Sequence, residues 1–110
     1  MLNIQNAVIK KIKLDEKCSE LYIFVKNNLK QYKKYFIHGL GHGIGVEVHE
    51  RPNLKDKLKD RLKKESIFTI EPGIYFPKKF GIRIEDDVLL TKKAEVLTKT
   101  KKDLLTIIKN

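Results

Sequence analysis

The run His38-Gly39-Leu40-Gly41-His42-Gly43-Ile44-Gly45 carries glycine at every second position. An extended backbone sends alternate side chains to opposite faces, so one face of this run is bare. Another backbone or a ligand can then approach closely. His38, Leu40, His42 and Ile44 share the other face. The β-prone Tyr35-Phe36-Ile37 leads into it. Downstream, the sequence predicts a strand over residues 66–70 and, after Glu71-Pro72-Gly73, another over residues 74–76. Pro72 biases Glu71 toward an extended conformation, and Pro-Gly suits the centre of a type II turn. Residues 81–90 predict a further strand, with Ile82 and Ile84 on one face and Arg83 and Glu85 on the other. Lys92-Lys93 then turns the chain into residues 94–98.

Upstream of the glycine run the period changes. Residues 3–13 read as a helix, with Ile4, Ala7, Val8 and Ile12 on one face. Ser19 is a good N-cap, and the Glu20 carboxylate suits the positive end of a helix dipole. That second helix runs to about Tyr32, with Leu21, Phe24, Val25, Leu29 and Tyr32 as its apolar stripe. Residues 54–65 are highly charged, with Leu54, Leu58 and Leu62 four apart, and fit a surface helix or a connecting loop. The order is a helix pair (residues 3–35), strands (residues 36–98) and a short C-terminal segment (residues 99–110) carrying Leu104, Leu105, Ile107 and Ile108. Helices followed by an antiparallel meander argue an α+β fold.

The chain has 110 residues, which suits one domain or part of one. Apolar residues make up 41 %, enough for a core. No apolar run approaches the ~20 residues of a membrane span. Residues 1–6 lack the basic end and apolar run of a signal peptide. The single Cys18 excludes an internal disulfide and a cysteine-only zinc site. A cytoplasmic location is expected. The net charge is +10, from 21 Lys and three Arg against 14 acidic residues. That excess permits nucleic-acid contact, but the lysines are spread along the chain and often interrupted by Asp or Glu, as on a solvated face.

Three polar residues stand where strands should be apolar. His42 lies among glycines that leave it uncovered. Glu71 follows Ile67, Phe68 and Ile70. Glu85 lies between Ile84 and Asp86-Asp87. A carboxylate on a buried strand face is costly unless a cation or hydrogen bonds compensate it. One His with several carboxylates suits hard or borderline ions such as Mn, Co or Zn. Taken singly, each residue has a plainer reading: a loop histidine, a glutamate on a solvated face, an Asp pair at a sheet edge. Other motifs are absent. His49-Glu50 is not followed by a second His at the helical zinc-protease spacing, and the glycines lack dinucleotide-fingerprint spacing. There is no phosphate loop and no Ser nucleophile elbow.

The combination is more specific. The stretch from His38 through His42, His49 and Glu50 to Pro52 resembles the histidine motif of the pita-bread metalloaminopeptidases. Phe68-Thr69-Ile70-Glu71-Pro72-Gly73-Ile74-Tyr75 resembles their first glutamate motif, and Gly81-Ile82-Arg83-Ile84-Glu85-Asp86-Asp87-Val88 their last. The wording around Glu85 is similar to the Xaa-Pro aminopeptidase and Xaa-Pro dipeptidase (prolidase) branch. The resemblance implies the second half of a pita-bread fold and hydrolysis of the peptide bond before proline. It also implies a centre of two divalent ions, Mn or Co ahead of Zn. His42 and Glu71 would bind one ion, and Glu85 would bridge both. Glu71 would also shuttle a proton. His49 would contact the scissile amide, and His38 would line the pocket near the substrate proline. Arg83 would support the site by hydrogen bonding, and its spacing of two from Glu85 puts both on one strand face.

The family site needs two further aspartates from an earlier β-hairpin, and Asp15, Asp56, Asp60, Asp86 and Asp87 do not replace them. The expected partners are a peptide with proline in second position and either a polypeptide supplying the aspartate half or a second copy of the chain. Glu65 stands where relatives often have glycine, and the turn at Lys92-Lys93-Ala94 looks one residue short. Three roles stay open: a C-terminal fragment or subunit of a divided peptidase, a non-catalytic module of the same fold, and a small basic nucleic-acid-binding protein. An uncovered sheet edge and uncovered Ile44, Val46, Phe68, Ile70, Ile82 and Ile84 are expected near the site, inviting association.

Overall fold

Helix α1 spans Leu2–Lys11 and helix α2 spans Cys18–Asn28 in a computed structural model that describes residues 1–103. The expected apolar segment at residues 104–110 lies outside the described residues. Helix α2 starts one residue before the expected cap: Lys17 is the N-cap, and Ser19 makes no capping bond. The earlier start carries Cys18 into the core, where it is fully buried. The helix also ends sooner than its stripe suggests. Lys30 takes a left-handed φ of 51°, and the chain tightens into a 3-10 helix over Lys30–Tyr35. Tyr35 and Phe36 therefore do not open a strand. Phe36 instead stacks on Tyr22 of α2, with ring centroids 5.2 Å apart.

Among the described residues seven strands follow: β1 Gly41–Gly43, β2 Glu50–Leu54, β3 Ser66–Ile70, β4 Gly73–Phe76, β5 Phe80–Arg83, β6 Asp86–Leu90 and β7 Ala94–Val96. The main sheet has the order β2-β1-β3-β6-β7, and β4 and β5 form a separate hairpin. All pairings are antiparallel. The expected single strand over residues 81–90 is thus two strands in two sheets, and the meander is incomplete. Pro72 has no N–H to continue the β3 ladder, and Ile84 N turns to donate to Pro72 O at 3.3 Å. The chain leaves the sheet after Ile70 and rejoins it at Asp86, which pairs with Ile70.

The bare face of the glycine run is filled by backbone. A Cβ on Gly41 would stand 1.9 Å from Thr69 O, and one on Gly43 would stand 2.2 Å from Arg51 O. Only glycine lets β1 lie this close to both neighbours.

Leu40, Leu54, Phe68, Ile70, Val88 and Leu90 of the sheet share one core with Val8, Ile12, Cys18, Leu21, Val25 and Leu29 of the helical part. Phe68 and Ile70 are fully buried, which corrects the expectation that they are uncovered. Alternation explains it: residues 68 and 70 point to the helices, and residues 67 and 69 point away. The expectation holds elsewhere, for Val46 is wholly exposed and Ile82 is 44 % exposed. Ile44 and Ile84 are half-buried. Beyond Leu54, which ends β2, the charged stretch is a loop, anchored by Leu62 in the core and by Asp60 Oδ2, which accepts Asn53 N–H at 2.7 Å.

Candidate metal centre

The sheet face turned away from the helices carries the polar residues. His42 projects from β1 beside Thr69 of β3, and its backbone N–H donates to Thr69 Oγ1 at 3.0 Å. The Thr69 hydroxyl donates in turn to Glu71 Oε1 at 2.9 Å. His42 Nδ1 lies 2.9 Å from Gly43 O. A carbonyl only accepts, so Nδ1 carries the proton, and a neutral ring keeps its lone pair on Nε2. That nitrogen faces Glu71 Oε1 at 3.3 Å. A lone pair and a carboxylate oxygen at this distance call for a positive species between them, a proton or a metal ion. Two ligands with ~2.1 Å bonds to one ion stand roughly 3.0–3.4 Å apart. Metal-binding histidines commonly fix their other ring N–H on a carbonyl, as His42 does. The donor set therefore fits a divalent ion.

Glu85 is placed differently. Arg83 Nε lies 4.0 Å from both Glu71 Oε2 and Glu85 Oε2. The shared centre expected of His42, Glu71 and Glu85 is thus not preassembled around one point. A guanidinium stands between the two carboxylates and supplies the local positive charge. Among the described residues no three His, Cys, Asp or Glu side chains form a preassembled metal cluster. All three do line one open cleft of about 420 Å³, together with His49, Thr69 and Arg83.

An adjoining cleft of about 520 Å³ is lined by His38, His42, His49, Lys55, Glu71 and Arg83 among others. His49 is exposed, at the end of the β1–β2 loop, and its ring centroid lies 4.2 Å from that of His42. His38 Nδ1 lies 2.7 Å from Gly39 O, so this nitrogen too carries a proton. Its Nε2 meets the Tyr75 hydroxyl at 3.0 Å, and that hydroxyl accepts from Arg83 Nη1 at 3.4 Å. Tyr75 therefore links His38 to the guanidinium beside both glutamates.

Sequence reasoning missed three residues here. Thr69 was legible, being two residues before Glu71 on the same face of β3. Tyr75 was legible only with the hairpin register, which pairs Gly73 with Arg83 and Tyr75 with Gly81. Asp86, expected at an edge, is fully buried and held by the Lys102 ammonium, with its Oδ1 unpartnered among the described residues.

The model of metallopeptidase family M24 matches residues 1–92, and the chain belongs to that family. Its sequence is 43 % identical over 108 residues to an Xaa-Pro dipeptidase of Pyrococcus furiosus, covering 96 % of this chain and 31 % of that protein. Its fold matches the prolidase of Pyrococcus horikoshii with a TM-score of 0.88 at 40 % identity, over 94 % of this chain and 31 % of that one. It also matches the X-Pro aminopeptidase of Thermotoga maritima with a TM-score of 0.86 at 38 % identity, over 93 % of this chain and 30 % of that one. The architecture is that of the pita-bread fold, in its C-terminal half. The chain spans about a third of the length of these relatives.

Proposed function

We propose that this chain furnishes the histidine-and-glutamate share of the metal centre of an Xaa-Pro peptidase, acting on the bond before proline. The single observation that carries it is the His42–Glu71 pair, with donors 3.3 Å apart and the His42 ring proton fixed on a carbonyl. His42 and Glu71 would hold one divalent ion, manganese or cobalt ahead of zinc. Glu85 would reach a second ion once Arg83 releases it. Bound there, the ions would polarise the scissile carbonyl and make water nucleophilic at neutral pH.

The chain's own residues do the rest. Glu71 takes and returns a proton, steadied by the Thr69 hydroxyl. His49, exposed beside His42, hydrogen-bonds the scissile amide. His38, oriented by Gly39 O and Tyr75, lines the side of the cleft that receives the substrate proline. Two further carboxylates, aspartates by family resemblance, would come from residues outside these 110, in the same polypeptide or in another. Without them, turnover of an Xaa-Pro peptide is absent, and mixing with an aspartate-bearing N-terminal half restores it. A cytoplasmic setting suits the free, buried Cys18.

Calorimetric titration with Mn²⁺ tests this directly. The chain takes up the ion, and Glu71→Gln, which removes a charged ligand, weakens it by at least about tenfold, the lower end of what the loss of a mere supporting partner costs. Equal affinity in Glu71→Gln would overturn the assignment.

A further inference from the structure

Gln5 is a polar residue of α1 that is wholly buried in the core. Its side-chain amide reaches across to the sheet. Nε2 donates to Ile70 O at 3.1 Å and to Ile84 O at 3.2 Å. Both partners are carbonyls, so the NH2 end must face them. These two carbonyls sit at distinctive places. Ile70 is the last residue of β3, and Ile84 lies in the break between β5 and β6. Both stand where the chain leaves or rejoins the sheet.

Each of these carbonyls shares its planar peptide unit with the N–H of the next residue. The next residues are Glu71 and Glu85. One amide thus holds the two peptide planes from which the two candidate metal-binding glutamates spring. Glu71 is fixed from its other side as well, since its N–H donates to Leu40 O at 2.7 Å.

We propose that Gln5 is a positioning residue for the metal centre, a clamp whose two N–H groups set the spacing between the Glu71 and Glu85 backbones. It lies in the core on the helix-facing side of the sheet, away from the His42 and Glu71 side chains that would hold the ion, so it would act through the two backbones alone. The inference rests on the functional reading above for its consequence, but not for its geometry.

The test compares the full chain with Gln5→Met, which keeps most of the volume and loses both donors. Gln5→Asn keeps both donors one methylene shorter. Val8→Ala serves as a control that loosens the same helix without touching either carbonyl. Two readouts are needed: Mn²⁺ affinity by calorimetry, and the amide signals of Glu71 and Glu85 in a nitrogen-15 NMR spectrum. In Gln5→Met the affinity is expected to fall about tenfold, as for outer partners of metal ligands, and the Glu71 and Glu85 signals to move together. Val8→Ala should leave both unmoved although it melts earlier. Should Gln5→Met fail to fold, Gln5→Asn carries the same two readouts. Unmoved Glu71 and Glu85 signals with wild-type affinity would overturn the clamp. If the wild-type chain takes up no Mn²⁺, the metal reading fails, while the paired amide shifts still decide the clamp.

Discussion

The two sides of strand β3 are built on different principles. Phe68 and Ile70 point toward the helices and belong to one apolar core with side chains of α1, α2, β2 and β6 and with Leu40 just before β1. Ile67, Thr69 and Glu71 point the other way: Ile67 is partly exposed, and Thr69 and Glu71 line the open cleft beside His42. On the first side, apolar contact supplies most of the hold, at roughly 25 cal/mol per Å² of apolar surface buried, with the buried Gln5 amide as its polar exception. On the second side, Thr69, His42, Glu71 and Arg83 hold one another by directed polar contacts. The packed side closes on itself within these residues. The open side closes polar groups in pairs and leaves apolar neighbours such as Val46, Val48 and Ile82 exposed.

The sharpest way to break this contrast is to truncate each side in turn. Phe68→Ala is expected to cost about 3–5 kcal/mol, since a fully buried aromatic leaves a cavity. Ile67→Ala, one residue away and 37 % exposed, is expected to cost under about 1 kcal/mol. Urea denaturation of both variants measures the difference. Equal losses would show that the open face is covered by the chain itself.

A smaller effect is expected at Asp86, whose buried carboxylate is held by Lys102. Lys102→Met is expected to cost about 2 kcal/mol. A fully buried pair loses ~3–5 kcal/mol when one partner is removed, but the Lys102 side chain keeps a quarter of its surface in water. A melt of the variant that matches the wild type would place the stabilising partner of Asp86 elsewhere.

The weakest effect concerns Cys18 on the packed side. Burial first, and then the charge of Asp60, push its thiol from 9.0 up to about 12, against a lowering backbone hydrogen bond. The unfolded chain therefore loses this proton at lower pH than the folded one. The contribution of Cys18 is whole below pH 9 and is lost as pH rises from there toward 12. The stability difference between wild type and Cys18→Val should shift over that interval and stay flat below it. Thiol reagents should label the folded chain only through unfolding.

Legibility in the sequence follows the same division. Strand β3 could be read because its alternation and its stop are both local, in Phe68, Ile70 and Pro72. The glycine run could be read because missing side chains imply close neighbours, and Thr69 O and Arg51 O are those neighbours. The split of residues 81–90 could not be read. The alternation of Ile82 and Ile84 runs straight through it, and at the break Ile84 is hydrogen-bonded to Gln5 and Pro72 from elsewhere in the chain. The buried role of Gln5 was hidden for the same reason, since its partners are 65 and 79 residues away. His38, His42, His49, Glu71 and Arg83 could be grouped in the sequence only through the resemblance of three short motifs to one family, and in the fold they line one cleft. The reach of Arg83 into the gap between Glu71 and Glu85 depends on the hairpin, and so on folding.

The Glu71–Arg83–Glu85 row has a kinetic corollary. It is a small anionic spot on a chain whose net charge is +10. A divalent cation approaching from solution is repelled by the whole and attracted only within the last few ångströms. Added salt shortens the range of both fields to ~8 Å at physiological ionic strength. The long-range repulsion is screened most and the short-range attraction least. Uptake of Mn²⁺ by this chain should therefore quicken with moderate salt, the reverse of the slowing that salt imposes when opposite charges steer an encounter.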